Sequence, residues 1–117
     1  MGRQLCSGLA LTLLALLLAT LVLASQARAD CADETLLAQG RLVFLEQAQP
    51  SCSLCHTLRE AGASGAVGPD LDQLKPDAAR VEAAVSNGLG VMPPFADTLS
   101  AEQIRAVAHY VSSVAGQ

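Results

Sequence analysis

The chain has 117 residues, of which 51% are hydrophobic and three are aromatic, and it carries 11 Asp and Glu against seven Lys and Arg, a formal net charge of −4. That acidic balance argues against nucleic acid or an anionic membrane surface as a partner. The length suits one domain whose side chains alone would make a marginal core.

The first element is a leader. Arg3 supplies a positive start, Leu9 to Ala24 is an unbroken run of apolar residues and Thr, and Ala27-Arg28-Ala29 is a small-x-small cleavage site. The run is short of the roughly 20 apolar residues that a spanning helix needs, so it reads as a cleaved export signal rather than an anchor. Residues 1–29 are therefore expected to be a signal peptide and residues 30–117 the mature domain, with no stable membrane insertion after cleavage. Loss of Arg3 and Arg28 leaves five basic residues against all 11 acids, a net charge of −6. A basic or apolar docking face is its natural complement. Cys31 sits beside the new N-terminus and reads either as a site of intermolecular pairing or as an inert exposed residue.

Asp33 to Gln49 is expected to be the first helix. Leu36, Leu37, Gly40, Val43, Phe44 and Gln47 recur at three- and four-residue spacing, Asp33 and Glu34 occupy the first turn, and Pro50 closes the segment. Gly40 costs a helix stability relative to Ala, so its place four residues before Phe44 suggests a close backbone approach.

Cys52-Ser53-Leu54-Cys55-His56 follows. Cys-x-x-Cys-His is the attachment signature of a c-type haem. Two thiols three positions apart on one helical turn can add to two vinyl groups on a haem edge, and the adjacent imidazole is then held under the iron. A bare Cys-x-x-Cys also suits zinc or a thioredoxin-like redox site. Zinc would need two further ligands, for which the exported part offers only Cys31 and His109, and no βαβ pattern surrounds the motif. A covalently held haem would also fill the deficit in the core, so the chain is expected to fold poorly without it.

Thr57 to Asp72 contains Gly62, Gly65, Gly68 and Pro69 and shows no period, which predicts loop. A middle helix is expected from Pro76, a residue suited to the first helical position, through Val81, Ala84 and Val85 to a stop at Gly88. The segment Gly88 to Phe95 then presents Met92, the only Met left after export, in a loop stiffened by Pro93 and Pro94. Its thioether is the candidate second axial ligand, against the bland alternative of a core filler. The final helix starts at Ser100, an N-cap with Gln103 three residues on, and Leu99 can staple against Ile104. Its apolar face is Ile104, Val107, Ala108, Val111 and Val114, opposite Glu102, Arg105 and His109. His109 is the competing iron ligand, but that position reads as a solvated face, and Lys75 is a weaker third candidate. No strand pattern appears.

Taken in order, Gly40 and Phe44, Cys52 to His56, Gly68-Pro69, Met92-Pro93 and Tyr110 resemble the small class I c-type cytochromes over Asp33 to Ala115. The resemblance implies an all-α, single-domain fold with three main helices around one covalently attached haem. It further implies attachment through Cys52 and Cys55, iron ligation by His56 and Met92, and a hydrogen bond from His56 Nδ1–H to the Pro69 carbonyl. The first and last helices would cross at Gly40 and Phe44 against Tyr110. The implied role is periplasmic electron transfer by a carrier rather than an enzyme, since a peroxidase or gas binder would need a vacant axial position. Gly65 to Leu71, Leu74 to Glu82, Gly88 to Phe95 and Ala108 to Val111 are similar to the cytochrome subunit of bacterial molybdenum-dependent sulfite dehydrogenases. That likeness implies a molybdenum-containing, sulfite-oxidising partner, with a general electron shuttle as the alternative.

Overall fold

Gly40 sits where two helices touch through their backbones. A Cβ added there would lie 2.1 Å from the Ala106 carbonyl oxygen and 2.5 Å from Tyr110 Cβ. The computed structural model describes residues 28–117 together with Leu16 and Gln26. The expected leader at 1–29 thus lies outside the described residues apart from Leu16, Gln26, Arg28 and Ala29. Two units are distinguished, Met1–Glu34 and Thr35–Gln117, and every core residue described belongs to the second. Among the described residues no helix is long and apolar enough to cross a membrane.

The order of elements is helix α1 over 28–42, which widens into a π-turn at Val43–Gln47, then a single helical turn α2 at Cys52–Cys55. A two-residue hairpin follows, β1 at Thr57–Leu58 and β2 at Ala63–Ser64, paired antiparallel with Thr57 opposite Ser64. Short α3 at Leu71–Leu74, α4 at Ala78–Asn87 and α5 at Ala101–Val114 complete the chain. Three helices dominate, as expected.

The first helix ends by widening rather than by a simple stop. The Ala48 amide reaches back five residues to the Val43 carbonyl, at 3.1 Å. Ser51 Oγ, 3.1 Å from the Phe44 carbonyl and 3.0 Å from that of Leu45, covers acceptors that the helix leaves unpaired.

Two expectations need correction in the middle of the chain. The segment 57–72, read as loop without strands, carries the β1/β2 hairpin and α3. These pieces are two to four residues long, too short to impose a periodicity on the sequence. Asp70 caps α3 locally, accepting from the Asp72 and Gln73 amides, and the segment is anchored from afar by Asp72, whose carboxylate accepts from the Arg59 amide at 2.7 Å and the Gly116 amide at 2.9 Å. Those bonds, from Gly116 first and Arg59 second, hold the Asp72 carboxyl below its ordinary pKa. The middle helix also starts later than Pro76. Asp77 is its N-cap, accepting from the Arg80 amide at 2.8 Å, and Pro76 is buried just ahead of it. The preceding Lys75 takes a left-handed conformation, φ 47°, that closes α3 and re-aims the chain before the cap can form.

The last helix follows its sequence closely. Ser100 Oγ accepts from the Gln103 amide and Gln103 Oε1 accepts from the Ser100 amide, 3.2 and 2.8 Å, a complete capping box. Leu99, Ile104, Val107 and Val111 join the core, as does Tyr110, whose ring meets Phe44 edge to face at 6.0 Å and 63°. The Tyr110 hydroxyl donates to Glu60, which also pairs with Arg41 at 3.7 Å, tying α5 to the hairpin and α1. Burial, with Glu60 beside it, pushes the phenol above its ordinary pKa, so it stays a donor. His109 departs from the expected solvated position: it is half-buried, with Nε2 shielded from solvent.

Replacing Gly40 with Ala tests the crossing. Helix propensity would favour Ala by about 1 kcal/mol, but the added methyl meets a backbone carbonyl that cannot rotate away, and overpacking of this kind costs about 1–3 kcal/mol or more. We expect a net loss of roughly 2 kcal/mol, read as a melting point lower by about 8–16 °C. A raised melting point would mean that the helices separate at no cost and only the propensity gain remains.

Candidate functional site

The one-turn helix α2 spans the two motif cysteines, and the His56 amide closes it on the Cys52 carbonyl at 3.0 Å. Cys52 and Cys55 are both half-buried and free of disulfides. Burial pushes the Cys52 thiol up to about 11, with Cys55 adding to the rise against a backbone hydrogen bond that lowers it. Among the described residues no cluster of three or more His, Cys, Asp or Glu stands where it could hold a metal ion by itself.

His56 leaves the helix in extended backbone, and its Nδ1 lies 2.8 Å from the Pro69 carbonyl oxygen. A carbonyl can only accept, so Nδ1 carries the proton and the Nε2 lone pair is left for a ligand. Gly68 makes room for the ring: a Cβ there would lie 2.5 Å from His56 Cε1. Gly65 meets backbone rather than a ring, since its Cβ would lie 2.6 Å from the Cys55 carbonyl carbon and 2.7 Å from the His56 backbone nitrogen. Two hydrogen bonds hold this approach, the Gly68 amide to the Cys55 carbonyl at 2.7 Å and Thr57 Oγ1 to the Gly65 carbonyl at 2.9 Å. Gly65 and Thr57 both fall in the segment expected to be loop, and neither stands among the expected site residues. The spacing of the glycines behind the motif was the available signal.

Met92 is presented by a tight turn. Leu89 and Met92 exchange both backbone hydrogen bonds, 3.1 and 3.0 Å, with Gly90 and Val91 at the tip. Beyond the two prolines, the chain is pinned by buried Phe95, whose amide donates to the Val85 carbonyl at 2.9 Å.

Cys52, Cys55, His56, Pro69 and Met92 all line one cavity of about 680 Å³. Its walls include Phe44 from the π-turn, Val85 from α4, Phe95, and Val107 and Val111 from α5. A volume in the range of about 300–1,000 Å³ with apolar walls and few polar groups suits a cofactor rather than a solvent cleft. His109 and Lys75, the rival ligands, are not among the lining residues. Lys75 instead lays its side chain against Gly116, near the Asp72 carbonyl.

Residues 36–111 match the family described as cytochrome C oxidase, cbb3-type, subunit III. The chain belongs to this family of c-type cytochrome domains. The crystal structure of the c-type cytochrome SorU from Sinorhizobium meliloti is similar at 58% sequence identity and a TM-score of 0.70, covering 72% of this chain and 95% of that one. None of the curated proteins compared matches the chain. A c-type cytochrome holds haem covalently, and the site fits that group: two thiols on one helical turn, an imidazole with a bare Nε2, and apolar walls. The fold is that of a cytochrome c, and the chain is a haem-carrying, electron-transfer type of protein.

The glycine cradle behind the motif is open to test. Gly65→Ala would force the 65–69 segment off the Cys55–His56 backbone at a cost of about 1–3 kcal/mol. We expect a several-fold lower ratio of attached haem to polypeptide, measured by haem absorbance against protein concentration. A ratio equal to that of the wild type would show that the segment can recede without disturbing the motif.

Proposed function

We propose that this cytochrome is a periplasmic electron carrier with one haem, bound through thioethers from Cys52 and Cys55 and ligated at iron by His56 and Met92. The observation that carries the reading is that both thiols, the imidazole and the thioether, from segments up to 40 positions apart in sequence, line a single cavity. When bound, the haem supplies a one-electron change between ferric and ferrous iron. The chain's own residues decide how that change occurs. Pro69, by accepting from Nδ1, fixes the His56 ring and strengthens its donation through Nε2. Met92 contributes a soft thioether, which favours the ferrous state and raises the potential relative to two histidines. With His56 and Met92 both holding the iron, electron transfer would be favoured over substrate chemistry there.

Export follows from the leader: residues 1–29 are read as a cleaved signal peptide and 30–117 as the periplasmic domain. The partner reading rests on the motif likeness to cytochrome subunits of molybdenum-dependent sulfite dehydrogenases, supported by 58% identity to the c-type cytochrome SorU. In this reading the chain accepts electrons from a molybdenum-containing, sulfite-oxidising subunit and passes them to a downstream acceptor. A general periplasmic shuttle is the second reading. Val67, Leu89 and Val91 line the cavity and yet are 70%, 72% and 87% exposed. Large apolar side chains at a cavity rim suit a transient protein contact, and the acidic surplus suits a basic partner.

Met92→Ala should leave the haem attached, lower the reduction potential and open the iron to added ligands. The weak red charge-transfer band of sulfur-ligated ferric haem reports the outcome. Its absence from the wild type, or its survival in the variant, would remove Met92 from the ligand set.

Ferric protein mixed with a sulfite-oxidising molybdenum enzyme from the same source should be reduced on addition of sulfite, much faster than by sulfite alone. The rate should fall as salt rises, since screening shortens the reach of the acidic field. Equally fast reduction by unrelated dehydrogenases would favour the general shuttle.

A further inference from the structure

Among the described residues lining the cavity, Arg80 is the one whose side chain carries a fixed positive charge. The other cations of the 35–117 unit have carboxylate or carbonyl company. Arg41 pairs with Glu60 and Arg105 with Glu102, Arg59 donates to the Gln117 carbonyl, and Lys75 lies within the field of Asp72. Arg80 is different. Its backbone amide is fixed by the Asp77 cap, which sets it in the first turn of α4, but among the described residues its guanidinium enters no ion pair or hydrogen bond with the chain. The residue is exposed and also lines the cavity, on the same helix as the lining residues Val81 and Ala84, so it stands at the opening.

A planar guanidinium at the mouth of an apolar cavity is complementary to a ligand that carries carboxylates. Haem carries two, on the part of its rim that the thioethers leave free. A carboxylate brought to an apolar cavity wall needs a partner or open water, because an ionised group loses its hydration there. We propose that Arg80 is a positioning residue for the haem, donating hydrogen bonds from its guanidinium to one propionate. The assignment rests on the reading that the cavity holds covalent haem. It gives α4 a role beyond packing: the helix whose wall closes the cavity also anchors the haem edge remote from the motif, so the ring is held at both ends.

The test uses the full-length holoprotein and its Arg80→Gln and Arg80→Lys variants, with Arg105→Gln as a control for loss of a surface charge. The readout is the propionate bending mode in resonance Raman spectra, whose frequency falls when a hydrogen bond to the propionate is lost. Arg80→Gln should lower that frequency and also the reduction potential, since a positive charge beside the haem favours the ferrous state. Arg80→Lys should give a smaller downshift, because an ammonium replaces the two-pronged donor by a point charge. Arg105→Gln should leave the mode unmoved. A propionate mode unchanged in both Arg80 variants overturns the proposal, even if the potential falls, because a distant charge can shift a potential without touching the propionate. The red charge-transfer band, recorded on the same samples, reports axial ligation separately. Its absence from the wild type would sink the Met92 ligand while leaving the propionate result fully readable.

Discussion

The backbone contact between α1 and α5 at Gly40 is the constraint on which the rest of the structure depends. With no Cβ at that position, the Ala106 carbonyl and the Tyr110 Cβ approach to distances that any side chain would forbid. That approach brings Phe44 and Tyr110 edge to face, and the same turn of α1 supplies Phe44 to the cavity while α5 supplies Val107 and Val111. Small shifts at the crossing would therefore move two walls of the haem cavity together. Glu60 reinforces it from outside, taking the Tyr110 hydroxyl and the Arg41 guanidinium at once.

A second constraint acts on the motif. The segment from Gly65 to Pro69 lies against Cys55 and His56 so closely that Gly65 and Gly68 are the residues that fit. Its purpose is orientation: the Pro69 carbonyl selects the His56 tautomer in which Nε2 is free. Asp72 then ties this segment to the hairpin and to the C-terminus by two backbone amides. A chain with few aromatic residues thus relies on backbone approach and on directed hydrogen bonds where a larger protein would use side-chain bulk. The cavity itself cannot be filled by the chain, and covalent haem completes the core as well as the chemistry.

The polar groups divide by place. Acidic residues dominate the surface by number, the cavity walls are apolar, and the cavity rim mixes exposed Val67, Leu89 and Val91 with Arg80. Such a division serves a carrier. Apolar walls would keep water away from a bound cofactor, and an apolar rim beside it is the surface that the proposed transient partner contact would use.

The sequence alone pointed to covalent haem, through the spacing of Cys52, Cys55 and His56, and it marked α5, which has both an apolar period and a self-contained capping box. It also pointed to Gly40, since a helix-destabilising residue in an apolar stripe has to be explained by packing. What only the tertiary structure decided lies where local signals are too short or depend on distant partners. The hairpin and α3 within 57–72 span two to four residues each; α3 has a local cap in Asp70, but the segment as a whole is anchored by Asp72 reaching Arg59 and Gly116, 13 and 44 positions away. The start of α4 at Ala78 rather than Pro76 depends on the left-handed turn at Lys75, which composition does not announce. His109 lies on the face read as polar, but its burial depends on what packs against that face, and no helical period records that. Arg80 was one charge among several in the sequence. Its meeting with the cavity that Cys52, His56 and Met92 share is a product of the fold, because only the folded chain brings residues from α2, α4 and the Met92 turn to one space.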